Sequence, residues 1–329
     1  MRIIYVTSEG VAPVLDRERL RRLGDYTEYS DADLKREGAV PLLKDAEILM
    51  CGTNWITPEL IAACPRLKLV VMRATGFNTV DLSCTAGRDI TICNNPLYAT
   101  VPVAQHAAAL LLSLTNLITA FDGDIRKDGW KAVKDRSLQQ YKMMELYGKT
   151  LGIIGFGRIG QEAARLLKPF GMRVLACDPF PNDAGRQLGE YVPLKRLLAE
   201  ADVISLHCPL TEENHHLIDR ERIAQMKDGA VIINVSRGKL IDEAALAEAL
   251  HSGKVRAAGL DVMEQEPPAD SPLLDAPNCI LTPHVAWMAP ESRKRMADCM
   301  IDTAEAWLAG RPINVLVSPE KPWKGGARV

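Results

Sequence analysis

The chain has 329 residues, 47% of them hydrophobic and 25% charged, and carries a formal net charge of −2. That length exceeds what one small core fills, so two domains are expected, and the near-zero charge gives no electrostatic pull toward nucleic acid or an anionic membrane surface. Eight cysteines lie scattered without a C-x-x-C pair, which argues for reduced, buried thiols and against a zinc site or a disulfide scaffold, so no metal is expected.

The amino-terminal MRIIYV has strand character and lacks the apolar run and cleavage site of a signal peptide, so a cytoplasmic location is expected. Residues 3–6, 48–50, 69–72 and 90–93 then read as short strands, with 58–63 and 81–87 as helices, a weak α/β alternation. No Asp, Glu, Lys or Arg occurs between Asp89 and Asp122. A membrane span there would strand Gln105, His106, Ser113, Thr115, Asn116 and Thr119 in hydrocarbon. A buried helix from about residue 102, lying between domains and carrying the chain from the first into the second, is the better reading.

From residue 151 the alternation strengthens. Residues 151–155, 173–177, 203–207, 231–235, 257–261 and 279–281 read as buried strands, with helical spacing between them at 161–170 and 243–251. Such a rhythm builds a parallel sheet covered on both faces. A second long helical pattern, 291–308, returns to the first domain, and the tail 318–329 reads as a surface extension. The expectation is an α/β chain of two Rossmann-like, doubly wound parallel-sheet domains. Residues 1–99 and 290–329 would form a smaller, flavodoxin-like substrate-binding domain, and residues 100–289 a dinucleotide-binding one.

The stretch LGIIGFGRIG places G-x-G-x-x-G between a predicted strand and a helix, the setting that makes this motif specific. There Gly155 permits the tight turn, Gly157 lets a pyrophosphate approach the main chain, and Gly160 lets the helix pack on its strand. The next strand ends in Asp178, near the spacing of about 20 residues at which an acid binds the adenosine ribose. A 2′-phosphate facing that carboxylate would meet a repulsion of about 1 to 4 kcal/mol, and Pro-Phe-Pro-Asn after it offers no Arg, so NAD is expected over NADP.

With ELYGKTLGIIGFGRIGQ, ADVISLHCPLTEENHHLI, MKDGAVIINVSRGKLIDEAALAEAL, AAGLDVMEQEP and LTPHVAW in order, residues from about 68 to 316 resemble the D-isomer-specific 2-hydroxyacid dehydrogenases. Within that family ATGFNTVDL, NNPLYATVPVAQHAAALLL and HVAW are most similar to the glycerate dehydrogenase/hydroxypyruvate reductase branch. The resemblance implies a catalytic set of Arg237, Glu266 and His284. A guanidinium fork suits a 2-oxo acid, an imidazole can give or take a proton near neutrality, and a carboxylate on its other nitrogen would orient it and raise its pKa. Taken singly, an Arg in SRG and a His after Thr-Pro are ordinary loop residues, and the surrounding motifs reverse that reading.

The resemblance further implies that Arg158 and Ile159 flank the pyrophosphate, that His207 and Pro209 help position the dinucleotide, and that Val235, Ser236 and Asp261 lie near the nicotinamide carboxamide. Main-chain N–H groups of Thr75 and Gly76 would hold the substrate carboxylate, with residues 51–54 beside its side group. His106 is read as part of the buried helix, and His215, His216 and His251 as surface or packing residues. The chain departs from the family's commonest pattern at Phe77, where Tyr is frequent, and at Leu97, where Gly is usual.

The function implied is that of an NAD-dependent oxidoreductase interconverting a small 2-oxo acid and its D-2-hydroxy acid, with hydroxypyruvate or glyoxylate as first candidates, in a cleft that closes to expel water. The enzyme would act as a homodimer through the cofactor domains. Two alternatives stand beside it. One is oxidation of D-3-phosphoglycerate or D-lactate, the former wanting an extra cation such as Arg73 and, in this chain, having no regulatory domain after residue 329. The other is an NAD-sensing, corepressor-like scaffold, which would keep the same Arg, Glu and His.

Overall fold

Runs of Val, Ile, Leu and Met that are buried on both faces find their hydrogen bonds only in a covered parallel sheet, and two such sheets form. The computed structural model describes residues 1–77 and 79–323. The chain divides into two compact units, one made of Met1–Ala99 with Trp287–Val329 and the other of Thr100–Ala286.

In the first unit β1 (Arg2–Thr7), β2 (Asp25–Ser30), β3 (Ile48–Cys51), β4 (Leu69–Met72) and β5 (Thr91–Cys93) run parallel in the order β5-β4-β3-β1-β2. Val315–Val317 adds an antiparallel edge on β5. Strand β2, DYTEYS, is partly exposed and charged, so hydrophobic patterning alone passes over it. The predicted helix over 81–87 is only a 3-10 turn, Leu82–Thr85, capped by Asp81. The Pro290–Leu308 helix packs on β4 as expected, with Asn95 donating to Met296 O (2.8 Å) and Ser292 to Tyr98 O (3.0 Å). Of the tail predicted as a surface extension, Pro319, Glu320, Lys321 and Pro322 are exposed. Ser318 and Lys321 close a turn, and Trp323 meets Phe77 edge-on at 6.3 Å. The rest of the predicted extension, residues 324–329, lies outside the described residues.

The second unit holds β6 (Thr150–Ile154), β7 (Arg173–Cys177), β8 (Glu190–Tyr191), β9 (Val203–Leu206), β10 (Ala230–Asn234), β11 (Val255–Leu260) and β12 (Cys279–Leu281), all parallel, in the order β12-β11-β10-β9-β6-β7-β8. The chain reverses its direction of travel across the sheet between β6 and β9, the place where open α/β sheets collect ligands.

The uncharged segment becomes the Thr100–Asn116 helix, which opens this unit and buries Val103, Ala104, Ala107, Leu110, Leu111 and Leu114 against β10, β11 and the Arg158–Leu167 helix. Its apolar surface is thus used within its own unit. It ends where Leu117 turns left-handed (φ 54°), and the next helix, Ile118–Asp128, departs at 52°. Among the described residues no single helix is long and apolar enough to cross a membrane. The eight cysteines are free; Cys51, Cys64 and Cys93 are buried and the other five only partly so.

Candidate active site

The glycine turn starts the site. Gly155 has φ +88°, and a Cβ there would lie 2.3 Å from the Cys208 nitrogen, so the turn after β6 can close against β9 only with glycine. Phe156, the residue between the first two glycines, is fully buried and packs edge-on against Tyr191 at 5.6 Å. Gly157 caps the Arg158–Leu167 helix, and a Cβ there would meet nothing within 4 Å. Arg158 is exposed, Ile159 partly buried and Gly160 buried in that first turn. The open space at a helix N-terminus fits a pyrophosphate.

Asp178 follows β7, and both its oxygens accept main-chain bonds, Oδ2 from Phe156 (2.6 Å) and Oδ1 from Phe180 (2.7 Å). The carboxylate expected to meet a ribose therefore also ties the glycine turn to its own loop. Across the switch point, His207 donates its main-chain N–H to Ile154 O (2.7 Å). Its Nε2 lies 2.8 Å from Ser205 Oγ, and burial pushes the imidazole down to about 4, so at neutral pH it carries no charge. Pro209 O accepts from Asn214 Nδ2 (2.7 Å), which shapes the following loop.

At the end of β10, buried Asn234 bonds both sides of the next turn. Its Oδ1 accepts from Ser236 N (3.0 Å) and its Nδ2 donates to Arg237 O (2.9 Å). Val235 is buried, and the Ser236 hydroxyl donates to Cys208 O. Gly238 then allows a close approach, since a Cβ there would fall 1.9 Å from the Met263 carbonyl carbon. This contact brings the Arg237 turn against the loop that carries Glu266. The Arg237 guanidinium donates to Ser236 O at 2.8 Å.

Glu266 joins the set together. Its Oε1 accepts from Met263 N (3.1 Å), and its Oε2 lies 2.7 Å from His284 Nδ1. Partial burial works to raise this carboxyl, but the His284 hydrogen bond and charge, the Met263 amide and the nearby Arg237 charge outweigh it and hold Glu266 below the ordinary carboxylate range. The His284 and Glu266 side chains are 43% and 38% exposed, so the pair stays within reach of a small solute. His284 has φ 53°, a left-handed conformation that costs a non-glycine residue about 1 to 2 kcal/mol.

Asp261, expected near the carboxamide, is 1% exposed and its carboxylate accepts from Thr282 Oγ1 (2.6 Å), Val285 N (2.9 Å) and Ala286 N (2.9 Å). Asn234, Thr282 and Phe156 were not legible as site residues in the sequence, because one polar or aromatic residue at a strand end leaves no periodic trace.

In the first unit the Thr75 hydroxyl donates to Asn95 O (2.7 Å) and Asn94 Nδ2 to Thr75 O (2.9 Å), which pins the turn carrying Thr75 and Gly76. Arg73 is 11% exposed and donates to Val6 O (2.9 Å) and Asp31 Oδ2 (3.1 Å). His251 Nδ1 caps Ala247 O at 2.8 Å, His215 stacks on His216 at 4.0 Å, and among the described residues no His, Cys, Asp and Glu cluster would hold a metal ion.

Comparison with known proteins converges on one family. The profile of the D-isomer specific 2-hydroxyacid dehydrogenase NAD binding domain matches residues 108–286. Over 305 residues the chain is 41% identical to the hydroxypyruvate reductase of Blautia hydrogenotrophica, covering 92% of this chain and 95% of that protein. It is 38% identical over 295 residues to the glycerate dehydrogenase of Methylorubrum extorquens, covering 89% and 92%. The crystal structure of D-lactate dehydrogenase from Aquifex aeolicus, complexed with NAD and lactic acid, matches with a TM-score of 0.83 at 32% identity, covering 97% of this chain and 100% of that one.

Proposed function

The chain belongs to the D-isomer-specific 2-hydroxyacid dehydrogenases, and from that premise we propose that it reduces hydroxypyruvate or glyoxylate to the corresponding hydroxy acid in the cytoplasm. NAD, when bound, carries the hydride. Gly155, Gly157 and Gly160 with Arg158 and Ile159 would hold its pyrophosphate, Asp178 its ribose, and the loops of His207, Pro209, Val235, Ser236 and Asp261 its remaining length.

The observation that carries the reading is the 2.7 Å contact between His284 and Glu266 on a carboxylate that also feels Arg237. An ionised Glu266 takes the Nδ1–H, which leaves Nε2 to give its proton to the developing alkoxide. Arg237 offers a planar fork to the substrate's carboxylate and ketone oxygens. Among the described residues the Thr75 and Gly76 amides find no acceptor, which supports their assignment to the same carboxylate. Arg73, the cation a phosphorylated substrate would need, is engaged by Asp31 and Val6, which speaks against phosphoglycerate.

A steady-state NADH-oxidation assay over hydroxypyruvate, glyoxylate, pyruvate and 3-phosphohydroxypyruvate tests the proposal. Hydroxypyruvate or glyoxylate should give the highest kcat/KM. Absence of turnover with every acid would overturn the reading in favour of an NAD-sensing scaffold. We further propose a homodimer through the cofactor-binding unit, whose exposed Ile118, Trp130, Met143 and Tyr147 offer apolar surface for a second copy.

A further inference from the structure

The buried Asp261 carboxylate only accepts hydrogen bonds, so the Thr282 hydroxyl proton, 2.6 Å away, is committed to it and the Thr282 oxygen is left as an acceptor. His106 Nε2 lies 2.9 Å from that oxygen and 3.5 Å from Asp261 Oδ1. Nε2 therefore carries the hydrogen, and bonds run from His106 to Thr282 to Asp261. Asp261 in turn accepts from the amides of Val285 and Ala286, while its main-chain oxygen accepts from His284 N at 2.8 Å. The backbone on both sides of His284 is thus held by one buried acid.

We propose that His106 and Thr282 are positioning residues for proton transfer: through Asp261 they hold the left-handed backbone of His284 and so aim its imidazole. Glu266 fixes only the rotation of that ring about its own bonds. The inference rests on the reading of His284 as the proton donor. It gives a purpose to the one histidine of the Thr100–Asn116 helix, which packing alone does not require.

Four variants of the full chain test it: T282V, which keeps the shape and deletes the hydroxyl; H106L, which deletes the donor; and H106Q and T282S, which restore a donor and a hydroxyl. T282V and H106L should each lower kcat about 10- to 100-fold while KM for NADH changes less than about twofold. H106Q and T282S should recover most of that loss. The double variant T282V/H106L should be no worse than T282V alone, because both break one chain of bonds.

With histidine labelled in its ring, the NMR signal of His284, identified by its loss in H284Q, should move in T282V and H106L and stay in place in H106Q and in the control H251Q. A T282V enzyme with kcat within about twofold of the parent, additive losses in the double variant, or an unmoved His284 signal would each overturn the proposal. If the parent enzyme turns over no 2-oxo acid, the functional reading fails, and the NMR arm still decides whether the relay sets the ring.

Discussion

Glu266 keeps its charge where partial burial alone would weaken it, because His284, the Met263 amide and Arg237 all favour the ionised form. Its folded-state pKa is lowered, so it stabilises the fold above the unfolded value near about 4.3 and loses that contribution as pH falls through the lowered folded value. The difference in Tm between the parent and E266Q should accordingly be largest near neutrality and shrink between about pH 5 and about pH 3. A constant difference across that range would remove the ion pair as its source. On activity, H284Q should lower kcat by roughly 10² to 10⁴, measured with saturating NADH. R237K keeps a charge but loses the fork, and its kcat/KM should fall by the equivalent of about 1.5 to 3 kcal/mol. Arg237, Glu266 and His284 were candidates in the sequence because each lies in a motif. Asn234 and Thr282, which hold the turns beside them, were not, since their importance is a matter of which backbone groups meet at three strand ends.

At the scale of elements, the strand-to-loop turns are built on close approach. Gly238 to Ala would drive a methyl to 1.9 Å from the Met263 carbonyl carbon. The loops must separate, so we expect a loss of about 1 to 3 kcal/mol in stability together with a fall in kcat, read from denaturant midpoints and turnover. Gly157 to Ala adds its methyl to open space and should leave the midpoint within about 1 kcal/mol of the parent, while weakening NADH binding measured by fluorescence. Equal destabilisation by both changes would contradict the packing described. Six strands of the second unit were legible because buried parallel strands are continuous apolar runs, whereas β8, the two exposed or half-buried residues Glu190–Tyr191, was not. Strand β2 escaped because its Asp, Thr, Glu and Ser face partly outward, and the Leu117 break escaped because a left-handed leucine has no residue signature.

On the scale of the whole molecule, two domains of the α/β class were readable from length and from the β/α rhythm, more clearly in the second half. The return of the chain to the first unit was readable from one amphipathic pattern, whereas the Val315–Val317 edge, three residues long, was not. If the exposed apolar side chains of the cofactor-binding unit seat a second copy, light scattering should give twice the 36.2 kDa chain mass, and W130E should shift it toward the monomer. A monomeric parent would sink that assignment.

The cofactor-binding unit is one uninterrupted stretch, Thr100–Ala286, inserted into a partner that is completed by Trp287 onward. On the ribosome the amino-terminal 99 residues therefore emerge without the antiparallel Val315–Val317 edge on β5 or the helix that packs on β4, and must wait until the segment from Trp287 onward is made. The inserted stretch carries its own complete sheet and meets no such delay. Nascent chains arrested after residue 286 should thus resist protease over their latter part first, with the leading segment protected only on release.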